Sequence, residues 1–80
     1  MEKRIDYRKQ IDLMTTEEFV RFCSILRIDL NKFHTRNNSV LKKEVGDLLS
    51  RAYHRLRNSP EEFRRLDRIV ANAIFKVNFE

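Results

Sequence analysis

The chain has 80 residues and a formal net charge of +5, with 41% hydrophobic and 36% charged residues. This length predicts one domain, residues 1–80, near the lower size limit for a self-sufficient core, so a partner or self-association is expected to add stability. One Gly and one Pro provide few turn residues, which argues against an all-β fold. One Cys excludes an intramolecular disulfide and zinc sites built on several cysteines.

The hydropathy pattern excludes a membrane protein and favours helices. No apolar run approaches the ~18 residues of a membrane span, and the first residues lack the apolar stretch of a signal peptide. We therefore expect a cytoplasmic protein with no membrane segment. The apolar periodicity predicts an all-α fold, a small bundle of three main helices plus a short N-terminal helix.

Apolar spacing and one cap predict the first two helices. Over residues 4–14 a weak helical pattern places three side chains on one face: Tyr7, Ile11 and Met14. Thr15, followed three residues later by Glu18, is a capping box that opens the second helix. Its apolar register continues to position 33, although other apolar residues lie off that face. Either this helix is covered on two sides, or it ends near position 28 and Asp29 starts a further short turn.

The clearest amphipathic helix runs from Ser39 to Arg57. Six apolar residues share an arc roughly 100° wide, as a core-facing helix requires: Leu41, Val45, Leu48, Leu49, Ala52 and Leu56. We expect Leu48 and Leu49 at the centre of the core, and Asn38 or Ser39 as the N-cap. Gly46 lies on the polar side of this helix. It is either tolerated there, at about 1 kcal/mol relative to Ala, or marks the close approach of another backbone.

A sharp boundary at residues 58–62 separates the third helix from the fourth. Ser59 is the expected N-cap, and Pro60 takes the first helical position, where its missing N–H is harmless. The next turns carry an apolar face that we expect to be buried: Phe63, Leu66, Val70, Ala73, Ile74 and Val77.

The last six residues fit two conformations. As helix, Phe75 and Phe79 lie one turn apart on the face away from the core, beside Asn72 and Arg68. Two exposed rings would then favour self-association, most simply a two-fold homodimer. As an extended tail, the same rings fold back over the first helix of the same chain.

No group of residues in the sequence specifies an enzyme. Asp47, Ser50 and His54 share one helical face, but adjacent turns of a straight helix do not aim a nucleophile and a base at one substrate. Cys23 lies among apolar residues and is expected in the core rather than as a nucleophile. Two histidines are too few for a metal site, and a single Gly excludes phosphate-cradling loops, so no cofactor is expected.

Basic residues are the main functional signal. Residues 32–57 hold seven bases and two acids, which accounts for the whole net charge of +5. Because Arg suits bidentate phosphate contacts, we predict a nucleic-acid-binding surface on helices three and four. The predicted contact residues are Lys42, Lys43, Arg51, His54, Arg55, Arg57, Arg64, Arg65 and Arg68. Exposed aromatic side chains, which single-strand stacking requires, are not expected among them.

Two short segments resemble known DNA-associated modules. Asp6-Tyr7 together with Ala52-Tyr-His-Arg-Leu56 is similar to parts of the small helical nucleoid-associated modulators of the Hha/YmoA type. Separately, Leu26 through Leu41, with Thr35-Arg36 in its loop, resembles helix–extended loop–helix DNA-binding modules. Each resemblance covers a minority of the chain, and neither assigns a family.

The sequence therefore predicts a small basic helical protein without catalytic activity, which contacts the phosphates of nucleic acid through helices three and four. The alternative prediction is a protein–protein adaptor or inhibitor. In that case the basic face meets an acidic partner protein, and Phe75 and Phe79 mediate self-association.

Overall fold

The regular structure of the chain is helical throughout the residues that the structure describes. A computed structural model describes residues 6–79. In chain order it contains α1 (Tyr7–Leu13), α2 (Thr16–Ile25), a short 3-10 turn (Leu30–Lys32), α3 (Asn38–Arg55) and α4 (Pro60–Phe79). Within residues 6–79 there is no strand, so the predicted all-α fold with a short N-terminal helix is confirmed.

Local caps define where α1 and α2 begin. The Asp6 side chain accepts a hydrogen bond from the Lys9 N–H at 3.2 Å, which places the start of α1 at Tyr7. At the start of α2, the Thr15 hydroxyl accepts from the Glu18 N–H at 3.2 Å, and the Glu18 carboxylate accepts from the Thr15 N–H at 2.8 Å. The predicted capping box is therefore confirmed.

The end of α2 is a Schellman motif with an arginine at the position that usually holds Gly. The Ile28 N–H donates to the Cys23 carbonyl at 2.8 Å, and the Arg27 N–H donates to the Ser24 carbonyl at 3.1 Å. Arg27 takes a φ of 60°, in the left-handed region. The chain then turns, and Asp29 starts the 3-10 turn. Of the two predictions for this segment, the shorter helix is confirmed.

The core forms where α2 packs on α4 and where α1 packs on both α3 and α4. Its buried side chains are Ile11, Met14, Phe19, Phe22, Cys23, Val45, Leu49, Tyr53, Val70, Ala73, Ile74 and Val77. Four of the six apolar residues predicted on α4 are thus fully buried, and Phe63 and Leu66 pack against them while partly exposed.

Tyr53 joins α3 to its neighbours, a role that the sequence analysis did not predict. Its ring stacks on Tyr7 with centroids 5.3 Å apart and meets the edge of Phe63 at 5.2 Å. Its hydroxyl donates to an Asp67 carboxylate oxygen at 2.9 Å. A buried tyrosine needs a partner for its hydroxyl, and α4 supplies it. These contacts bring the carboxyl half of α3 against the amino half of α4.

Two predictions for α3 are wrong. Leu48 is 40% exposed, whereas Leu49 is 4% exposed. The buried face is centred on Val45, Leu49 and Tyr53, one turn apart from each other, so Leu48 falls at its border. The N-cap is Asn37 rather than Asn38 or Ser39, because the Asn37 side chain accepts from the N–H groups of residues 39 and 40.

Polar side chains tie α1 to α3. Arg8 donates to Asp47 at 2.9 Å and to the Ser50 hydroxyl at 2.8 Å. Lys42 donates from Nζ to the Met14 carbonyl at 2.6 Å, next to the C-terminus of α1. Gly46 is buried under this network, and a Cβ added there would lie 3.1 Å from Arg8 Nη1. The group that approaches Gly46 is thus a side chain, not a backbone.

Candidate nucleic-acid interface

Eight of the ten carboxylates in residues 6–79 have a structural role, five through hydrogen bonds and three by their position in a first helical turn. Three cap helices or the 3-10 turn, and two others bond Arg8 or Tyr53. Three more lie in first helical turns, where they offset the helix dipole. The engaged residues are Asp6, Glu17, Glu18, Asp29, Asp47, Glu61, Glu62 and Asp67. These acidic side chains therefore have structural roles at helix ends or in hydrogen bonds within the protein.

Two of the predicted contact residues have structural roles at helix ends. Lys42 is partly buried, and its ammonium group bonds two carbonyls, those of Asp12 at 3.3 Å and Met14 at 2.6 Å. Arg57 donates from Nη1 to the His54 carbonyl at 2.8 Å, at the C-terminus of α3. Both side chains thus donate to carbonyls at helix ends. Their charges stay in place, but their donors are partly occupied.

Five of the predicted contact arginines remain free. All are exposed, and none forms an ion pair with another side chain of residues 6–79, where the one ion pair joins Arg8 to Asp47. Lys43 and His54 are exposed as well. A guanidinium without an internal partner keeps its planar fork of donors available for a ligand. The free arginines are Arg51, Arg55, Arg64, Arg65 and Arg68.

The free arginines form two pairs at helical spacing and one separate residue. Arg51 and Arg55 lie one turn apart on α3, and Arg64 and Arg68 lie one turn apart on α4, each pair separated by about 6 Å along the axis. Arg65 lies on another flank of α4, about 100° around the helix from Arg64. Because Tyr53 holds these parts of α3 and α4 together, both pairs belong to one end of the molecule.

The side chains that could suggest catalysis are engaged elsewhere. Ser50 bonds Tyr7 at 2.7 Å and Arg8 at 2.8 Å, and the Asp47 carboxylate accepts from Arg8 rather than facing His54. Among residues 6–79, no group of three or more His, Cys, Asp or Glu side chains could hold a metal ion.

Cys23 lies in the core, as predicted. Its side chain is 1% exposed, and burial raises the pKa of its thiol to about 11. A buried thiol that stays protonated is a poor nucleophile. Its position between apolar residues makes it a small core side chain.

The helix α4 continues to Phe79, so the extended-tail prediction for this segment is wrong. Phe75 and Phe79 are 59% and 73% exposed, and their ring centroids lie 4.7 Å apart. On the helix, positions 64, 68, 75 and 79 fall within an arc of about 60°. The expectation that no exposed aromatic residues accompany the bases is therefore wrong for α4.

An open groove of about 640 Å³ runs beside these rings. Gln10 of α1 contributes to it, together with residues of α4, and among residues 6–79 Arg68 is the one charged residue that lines it. The sequence could not reveal Gln10, because its position depends on how α1 docks against α4. The lining residues are Gln10, Arg68, Ala71, Asn72, Ile74, Phe75, Asn78 and Phe79.

Comparisons with known proteins identify no relatives. No protein-family model, no curated protein and no solved structure matches this chain. Among the helices described here, none has the length and apolar character to cross a membrane.

Proposed function

We propose that the chain is a non-catalytic nucleic-acid-binding protein that contacts phosphates through α3 and α4. One observation carries this proposal: five arginines on α3 and α4 are exposed and free, whereas five of the ten carboxylates in residues 6–79 are engaged in caps or internal hydrogen bonds. Arg fits a phosphate with two parallel N–H donors, which a partner rich in phosphate would exploit. The residues assigned to this role are Arg51, Arg55, Arg64, Arg65 and Arg68.

The charge distribution favours a polyanion over a single small anion. The arginines are spread along two helices rather than gathered at one point. A chain of phosphates can meet several of them at once and release a counterion for each contact. Lys43 and His54, also exposed, would add to the attraction. Lys42 and Arg57 would contribute charge more than direct contacts, because their donors serve helix ends.

The test is a salt-dependent binding titration. Fluorescence anisotropy with labelled duplex DNA, single-stranded DNA and RNA would be recorded at several salt concentrations. The logarithm of the association constant should fall linearly with the logarithm of salt concentration, with a slope of about 0.9 per neutralised phosphate on duplex and about 0.7 on single strands. Replacing Arg51, Arg55 and Arg64 together by Ala should reduce this slope by up to about three.

A matched control separates the site from the net charge. Lys9, Lys32 and Arg36 are also exposed, and replacing all three by Ala removes the same charge from other parts of the surface. The slope of this control should stay closer to that of the wild type. The proposal would be wrong if both triple variants changed the salt slope equally, or if the association constant did not depend on salt concentration. Weak binding to every nucleic acid, with salt-sensitive binding to one acidic protein, would favour the adaptor alternative.

A further inference from the structure

We infer that the groove at the carboxyl end of α4 holds unpaired nucleobases, so that the nucleic acid bound is single-stranded. This inference rests on the proposed function and specifies its ligand. The bases would stack on Phe75 and Phe79, while the neighbouring free arginines of α4 hold the phosphates. The structure places rings and guanidinium groups along one side of a single helix, the combination that single-strand binding requires.

The two rings provide a stacking surface. Phe79 is 73% exposed and Phe75 is 59% exposed, although each contacts the other at a centroid distance of 4.7 Å. Most of the ring area thus remains open to a ligand. Stacking on an exposed ring tolerates any base, because every base has a π-face. The rings would add affinity without strict sequence preference.

The rest of the groove matches the edges of bases. Three carboxamide side chains line it, those of Gln10, Asn72 and Asn78, and no carboxylate of residues 6–79 does. A carboxamide carries both donors and an acceptor, as the edges of unpaired bases do. Arg68 adds a positive charge at the same groove, which suits a ligand carrying phosphate. Aromatic, amide and basic groups therefore converge on one site.

A duplex would use this surface less well. Its phosphates could meet the arginines, but its bases remain stacked and paired inside the helix. Stacking on Phe75 and Phe79 would require bases to leave the duplex, which costs unpairing energy. We therefore expect single strands to bind more tightly than duplex of the same length.

A second copy of the chain is a less suitable occupant of the groove. With about 200 Å² per ring, Phe75 and Phe79 together expose roughly 250 Å², well below the ~800 Å² per partner of a stable interface. Extending the contact along α4 adds repulsion. An antiparallel pairing centred on Asn72 would place Arg68 opposite Lys76 of the other copy, and like charges oppose association. The homodimer predicted from the sequence is therefore the competing hypothesis, and the sedimentation experiment below decides between the two.

The first experiment separates bases from phosphates. A single-stranded oligonucleotide of about ten residues is compared with an abasic strand of equal length, which keeps the phosphates and lacks the bases. The wild type should bind the base-containing strand at least fivefold more tightly. The Phe75→Ala/Phe79→Ala variant should lose that advantage and keep the salt slope. Ile69→Ala, which removes another exposed apolar side chain of α4, is the control and should leave both unchanged.

The second experiment observes stacking directly. The chain contains no Trp, so Phe79→Trp introduces a single indole at the proposed site. Its fluorescence should be quenched by the base-containing strand and little affected by the abasic strand. Quenching of equal size with both strands would overturn the stacking inference. Sedimentation equilibrium of the wild type should show a monomer, and a dimer that Phe75→Ala/Phe79→Ala dissociates would overturn it as well.

The phenylalanine and arginine variants together distinguish an error in base stacking from an error in phosphate binding. If the phenylalanine variant binds the base-containing strand as the wild type does, while the triple arginine variant still loses its salt slope, phosphate binding stands and base stacking is wrong. If the arginine variant also binds normally, the proposed function itself is wrong.

Discussion

The contact between Gly46 and Arg8 allows a sharp test of the packing of α1 on α3. In an ordinary helix interior, Gly→Ala stabilises by about 1 kcal/mol, because Ala loses less backbone freedom on folding. Here the new Cβ would lie 3.1 Å from Arg8 Nη1 and 3.6 Å from two other Arg8 atoms. That spacing is tighter than usual, so the Arg8 side chain has to move.

The displacement sets the expected magnitude. Arg8 is 46% exposed and Asp47 40% exposed at their side chains, so their ion pair contributes at most about 1 kcal/mol. Moving Arg8 weakens this pair and its hydrogen bond to Ser50. In the wild-type background, Gly46→Ala should therefore raise the free energy of unfolding by less than about 1 kcal/mol. In an Arg8→Ala background the same substitution should raise the free energy of unfolding by the full ~1 kcal/mol. The difference between the two backgrounds, the coupling energy, should be about 0.5–1 kcal/mol.

Urea denaturation followed by far-ultraviolet circular dichroism measures all four members of this cycle. The denaturant slopes should agree among variants, so that midpoints report stability. An equal gain from Gly46→Ala in both backgrounds would refute the proposed contact. A loss of more than about 1 kcal/mol in both would show that a backbone, not the Arg8 side chain, approaches Gly46.

Two further predictions concern the core. Leu49→Ala should lower the free energy of unfolding by ~2–5 kcal/mol and Leu48→Ala by about 1 kcal/mol, because Leu49 is buried and Leu48 is 40% exposed. Similar losses in urea denaturation would contradict this register of α3. The raised pKa of Cys23, about 11, predicts that stability is constant below pH ~8.5 and falls as pH rises toward 11. Cys23→Ala should show a smaller fall over that range, and identical pH curves would contradict the burial of the thiol.

Local sequence signals predicted the starts of α2 and α4 because caps act within a few residues, although they misplaced the N-cap of α3. The Thr15 and Glu18 capping box and the start of α4 at Pro60 are read directly from neighbouring side chains. Periodicity was less exact: it placed Leu48 in the core and missed Tyr53. Neighbouring positions on a helix differ by about 100°, so the centre of a buried face depends on what packs against it.

The candidate site was predictable in its charge and not in its geometry. The basic character of α3 and α4 is a property of composition, so the free arginines were among the predicted residues. Which bases serve helix ends, as Lys42 and Arg57 do, depends on where chain segments meet in space. The same holds for Gln10, which reaches the groove of α4 from a helix that lies more than fifty positions earlier in the chain.

The short length of α1 makes the position of Gln10 in the groove dependent on tertiary packing. A seven-residue helix is too short to persist alone, so α1 depends on its bonds to α3 and on its buried face for order. When those contacts open together, Gln10 leaves the groove. A ligand seated against Gln10 would therefore favour the closed state and slow hydrogen exchange at the amides of α1. Occupation of a site on α4 would in this way be recorded in the hydrogen exchange of α1.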